Sequence, residues 1–133
     1  MGDTTRNPQY WYLAYHTIFW LDFYSSGSFD GFIPPAPFGL EEMDSAGLLP
    51  DRVYSQDELH SYLERGRNKS RRAVESLTEK NAHELRNIGP TSLTRAELLP
   101  YIQRHVQHHA AQLYLLLRQN IKSTPRWVFI GRE

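Results

Sequence analysis

The sequence predicts an all-α fold, an up-down helical bundle with one long connection rich in Pro and Phe. Three long segments carry apolar side chains at helical spacing, and two of them begin with a capping box, a Ser or Thr followed three residues later by Glu. Apolar–polar alternation is too scarce to predict a sheet. A chain of 133 residues has the length of one domain, so we expect a single helical-bundle domain over residues 1–133.

The first predicted helix runs from Pro8 to Tyr24 and has apolar or aromatic residues on nearly every side. This pattern is typical of a helix that is buried on several faces. Proline suits the first turn of a helix, and the sequence SSG ends the pattern. His16 has aromatic neighbours at helical contact spacing, so we expect its imidazole to face other parts of the protein.

A long connection and a second helix follow. Residues 28–54 cannot form a regular helix, because their prolines remove hydrogen-bond donors, and a connection of this length is often a lid or a pocket wall. The capping box of Ser55 and Glu58 begins the second helix, in which we expect a bend near Gly66. Residues 78–90 form a polar linker that is expected to contain turns or a short helix.

The capping box of Thr94 and Glu97 begins the third helix. Pro100 falls early in this helix, where a proline costs less than in the middle. The helix is expected to end before Pro125, and the apolar residues 127–130 are predicted to pack back on the bundle.

The third helix carries a histidine cluster. His105 and His109 lie about 40° apart around a helix, and Gln112 lies about 20° to the other side of His105. Two imidazoles in a His-x-x-x-His pair can bind one divalent ion, and His16 would complete a three-histidine site with open coordination positions. The alternative is that these histidines, like His108, are polar residues on a helix surface, and that His16 is a core histidine with a hydrogen-bond partner.

Composition narrows the classes of function. Lys plus Arg equals Asp plus Glu at 15 each, which argues against a nucleic-acid partner. The chain has no cysteine, so a metal would need nitrogen or oxygen ligands, and this usage fits a reducing cytoplasm. We expect a soluble, cytoplasmic protein that does not enter membranes. The basic run Arg65–Arg72 is interpreted as a solvated helix face, with an anion clamp as the alternative.

Two segments, WYLAYHTIFWLDFY and LLPYIQRHVQHHAAQLYLLLRQ, resemble the DinB/YfiT-like superfamily of four-helix bundles. The resemblance implies that His16, His105 and His109 bind a divalent metal ion, such as zinc or nickel. It implies that Gln112 orients a histidine or contacts the bound cofactor or substrate. It also implies a metal-dependent enzyme that acts on a small-molecule substrate. The better understood members of that superfamily are transferases or isomerases that use low-molecular-weight thiols such as mycothiol or bacillithiol. A hydrolase that activates water on the same ion is the alternative chemistry.

The chain departs from the resemblance in one respect, because too few residues precede Pro8 to form the helix that usually comes first. Either residues 28–54 complete the bundle, or the aromatic surface of the first helix is covered by a partner. We expect a homodimer, because an uncovered apolar surface of that size is unfavourable in a monomer. A noncatalytic helical module for dimerisation or ligand binding is therefore the second functional hypothesis.

Overall fold

The structure, a computed structural model, describes residues 6–128 and residue 131. Its first helix lies between the two other long helices and packs on both. The fold is mostly helical, as predicted, and has a small β-hairpin. In chain order the elements are α1 (Arg6–Tyr24), a 3-10 helix (Glu41–Met43), α2 (Gln56–Glu75), β1 (Leu85–Ile88), β2 (Thr91–Thr94) and α3 (Arg95–Ile121).

Both predicted capping boxes are confirmed, and they fix where α2 and α3 begin. At the start of α2 the backbone N–H of Glu58 donates to Ser55 Oγ at 3.2 Å, and the N–H of Ser55 donates to the Glu58 carboxylate at 2.8 Å. The α2 helix continues through Gly66 without a break. A Cβ atom at Gly66 would lie 3.1 Å from Leu21 Cδ2. The absence of a side chain at Gly66 therefore allows α1 and α2 to pack closely at this point.

The prediction that the chain has no sheet is wrong. Residues 85–88 pair antiparallel with residues 91–94 around a tight turn, in which Gly89 has a φ of +56°. Each strand has only four residues and is partly exposed, which is too short for a recognisable alternation. The last strand residue, Thr94, is also the N-cap of α3, so the hairpin sets the position of that helix.

Aromatic residues from the long connection cover one flank of α1. Phe38 stacks on Tyr15 of α1 and on Tyr62 of α2, with ring centroids 5.9 and 4.2 Å apart. Tyr54 packs against the Tyr15 ring at 5.1 Å, and all four residues are buried. Phe38 and Tyr54 of the long connection therefore pack on this part of α1.

Another buried cluster joins α1 to α3. It contains Leu21, Phe23 and Tyr24 of α1 and Leu98 and Ile102 of α3. These apolar contacts fix the rotation of α3, so that residues one and two turns after Ile102 on the same stripe also face α1.

The end of the chain was predicted to pack back on the bundle. Trp127 and Val128 lie beside α3 near Leu115 and remain largely exposed. Phe129 and Ile130 lie outside the described residues. None of the helices in the described part of the chain has the length and apolar character needed to cross a membrane.

Candidate metal centre

Three histidines from two helices meet at the interface of α1 and α3. The ring centroid of His16 lies 5.4 Å from that of His105 and 4.7 Å from that of His109, and the two α3 rings are 4.6 Å apart. One nitrogen from each ring can be chosen so that all three lie within 4.8 Å of one another. The structure thus brings together the three residues that the sequence predicted as ligands.

A carboxylate that sequence reasoning missed lies directly behind His16. Glu42, in the 3-10 helix, accepts hydrogen bonds from His16 Nδ1 at 2.6 Å, from Trp20 Nε1 at 2.8 Å and from the Tyr12 hydroxyl. Its side chain is only 4% exposed. Burial raises the pKa of Glu42, but the hydrogen bonds from His16, Tyr12 and Trp20 outweigh burial and hold the pKa below its ordinary value.

Hydrogen bonds orient two of the three imidazoles. Because a carboxylate only accepts, His16 carries its proton on Nδ1 towards Glu42, and the lone pair is on Nε2. On α3, His109 Nδ1 donates to Gln112 Oε1 at 2.7 Å, which likewise leaves Nε2 with the lone pair. Metal-binding histidines commonly donate their second N–H to such a partner, which fixes the tautomer and the ring orientation.

His105 differs from the other two histidines in its hydrogen bonding and its pKa. Its Nδ1 atom is buried and has no hydrogen-bond partner among the described residues. Burial, followed by the neighbouring His109 and His16, lowers the pKa of His105 to about 4. The pKa of His109 is also lowered, mainly by burial. Both imidazoles are therefore neutral at pH 7, which is the form that binds metals.

The donor set fits one divalent ion. Two imidazole nitrogens that bind the same tetrahedral zinc lie roughly 3.4 Å apart. Side-chain movements that shift each nitrogen by roughly an ångström would therefore bring all three onto one ion. Three imidazole ligands leave a fourth coordination position for another ligand. A bound ion would also offset the cost of leaving a buried imidazole nitrogen without a partner.

A family comparison agrees with this geometry. The model of the DinB family matches residues 38–120, which is more than half of the chain. The chain belongs to the DinB family. The matched range includes His105, His109 and Gln112, whereas His16 lies outside it and joins the group through the packing of α1 on α3. No curated protein and no solved structure gave a significant match.

The other polar residues considered for this DinB-family site lie outside the cluster. His108 is exposed, and its ring centroid is 5.0 Å from that of His109. Together with His105, Tyr101 and Arg104, it lines a shallow depression of about 240 Å³ beside the site. Asp22, also on α1, faces α2 and accepts hydrogen bonds there from Tyr62 and Lys69.

Proposed function

We propose that this DinB-family protein is a metal-dependent enzyme whose divalent ion, zinc or nickel, binds to His16, His105 and His109. The observation that carries the proposal is the convergence of three imidazole nitrogens within 4.8 Å of one another. The hydrogen bonds of His16 and His109 support it, because both rings are held in the tautomer that offers Nε2. Bound there, a divalent ion would lower the pKa of a coordinated thiol or water.

We further propose transfer chemistry with a low-molecular-weight thiol as the reaction of this site, in preference to hydrolysis. Metalloproteases with a His-x-x-x-His pair place a carboxylate beside the metal-bound water as general base. Glu42 is the carboxylate nearest the cluster, but its oxygens accept three hydrogen bonds and its pKa is held low, so it is a weak base. A thiol that reacts as thiolate needs no such base.

The side chains around the cluster have separate roles in this proposal. Tyr12 and Trp20 hold Glu42, and Glu42 holds His16, so these residues act on the ligand and not on the substrate. Gln112 holds His109 in the same way. The depression lined by Tyr101 and Arg104 gives a small substrate access to the His105 side of the site.

Cobalt substitution tests the proposal. A thiol that binds Co²⁺ produces a sulfur-to-metal charge-transfer band, so titration of the cobalt-loaded protein with a small thiol should give a saturable absorbance. We expect His105→Ala to abolish the band and His108→Ala to retain it, since His108 is exposed and outside the three-nitrogen group.

The outcomes separate the hypotheses. Cobalt binding without a thiol band, together with ester hydrolysis, would favour the hydrolase. Failure to bind any divalent ion, with stability unchanged by a chelator, would indicate the noncatalytic helical module instead.

A further inference from the structure

A second cavity lies at the C-terminal end of α1, away from the histidine cluster. Its volume is about 570 Å³, and it is enclosed by the end of α1, the second half of α2, the hairpin and the start of α3. Tyr24, which lines it, is eight residues beyond His16, or roughly 12 Å along the helix axis. None of the three clustered histidines lines this cavity.

Cationic side chains dominate the polar lining. They come from α2, β1 and α3, and they are Arg65, Lys69, Arg72, Arg86 and Arg95. No carboxylate lines the cavity. Since the chain as a whole has equal numbers of acidic and basic residues, this is a local concentration of positive charge and not a consequence of composition.

Two of the five cations are paired, and three are not. Lys69 Nζ lies 2.5 Å from Asp22 Oδ1, and Arg95 lies 3.5 Å from Glu84. Among the described residues, the other three guanidinium groups, those of Arg65, Arg72 and Arg86, form no ion pair. The lining therefore has an excess of about three positive charges, of which Arg65 and Arg72 are exposed and Arg86 is half-buried, and an anion between them would relieve their mutual repulsion.

Helix capping does not explain these charges. Within the described structure, none of the five cations donates a hydrogen bond to a backbone carbonyl at the end of α1. The side chain of Arg72 donates through Nε to Asn68 O at 3.3 Å, within its own helix, and Arg95 donates to Ser76 Oγ at 3.3 Å. The remaining N–H groups of Arg72 stay available to a ligand.

A buried hydroxyl gives independent evidence for a ligand. Ser25 lines the cavity and is 6% exposed, and its Oγ atom has no hydrogen-bond partner among the described residues. The next residue, Ser26, satisfies its own hydroxyl by donating to Asp22 O at 2.9 Å. An unpartnered buried hydroxyl costs free energy, which a ligand oxygen would recover after a rotation of the Ser25 side chain towards the cavity.

We propose that this cavity binds a small organic phosphate. A phosphoryl group has three oxygens and can accept several N–H donors at once, and guanidinium groups match it with paired hydrogen bonds. Leu77, Leu98 and Ile102 supply an apolar wall for the organic part of the ligand. The volume lies within the range of ordinary small-molecule sites.

Calorimetric titration of the full chain with phenyl phosphate tests the proposal, and benzoate serves as the carboxylate probe. We expect saturable 1:1 binding of phenyl phosphate and clearly weaker binding of benzoate. The double variant Arg65→Gln/Arg72→Gln should bind phenyl phosphate at least about tenfold more weakly. The matched control is Arg67→Gln/Arg71→Gln, which removes two charges from the same helix without altering the cavity lining, and it should bind within about twofold of the unmodified protein.

Ser25→Ala provides a second test that does not depend on charge. We expect binding about fivefold weaker, without a lower thermal midpoint of the free protein, because the lost hydroxyl has no partner to leave behind. Absence of saturable binding, or equal weakening in both arginine double variants, would overturn the proposal. Benzoate that binds as tightly as phenyl phosphate would overturn the assignment to phosphates.

Discussion

Replacement of Glu42 by Gln should weaken metal binding, although Glu42 itself is not a proposed ligand. The carboxylate accepts three hydrogen bonds, from His16, Trp20 and Tyr12. An amide has one acceptor oxygen and an NH₂ group that cannot accept, so at least one donor loses its partner, and in either orientation of the amide His16 loses its anionic partner. Loss of such a partner typically lowers metal affinity by about 10- to 100-fold, or roughly 1.4–2.7 kcal/mol.

Competition with a chromophoric chelator measures this effect, with zinc titrated into the unmodified protein and the variant well below their thermal midpoints. Glu41→Gln is the matched control, since Glu41 lies in the same 3-10 helix and its side chain makes no hydrogen bond to a histidine. The reasoning is refuted if Glu42→Gln retains full affinity, or if Glu41→Gln loses as much.

Other expected outcomes concern packing and pH. Phe38→Ala should lower the free energy of unfolding in urea by about 3–5 kcal/mol, because Phe38 stacks on two buried tyrosines, whereas Ile33→Ala, at a residue 77% exposed, should change it by less than about 0.5 kcal/mol. Equal effects would contradict the described packing. Hydrogen bonds from Arg52 and from the backbone of Ser55 lower the pKa of Glu58 to about 2. The ionised Glu58 side chain therefore stabilises the folded state fully above its ordinary pKa of 4.5, and this stabilisation disappears as the pH falls towards 2. Glu58→Gln should flatten the stability–pH curve in that window, and an unchanged slope would count against this interaction.

Local signals account for what the sequence could predict. Each capping box joins residues three apart, so the starts of α2 and α3 were readable without tertiary information. Helical phase placed His105, His109 and Gln112 on one stripe for the same reason. The prediction that His16 joins this stripe needed one further assumption, namely that the buried faces of α1 and α3 pack against each other.

The features that were missed depend on contacts distant in sequence. Glu42 lies 26 residues from His16, in a segment without periodicity, and its role arises only when the long connection folds onto α1. An acidic pair between apolar residues was the available signal, since a carboxylate buried there needs donors. The close approach of Gly66 to Leu21 is likewise a contact between two helices, which helix propensity does not predict.

The metal content of the purified protein, determined by elemental mass spectrometry, tests the central claim most directly. The account predicts one divalent ion per chain, loss of that ion in His16→Ala and in His105→Ala, and its retention in His108→Ala. A metal-free protein that takes up no added divalent ion, or a His16→Ala variant that retains a full equivalent, would contradict it.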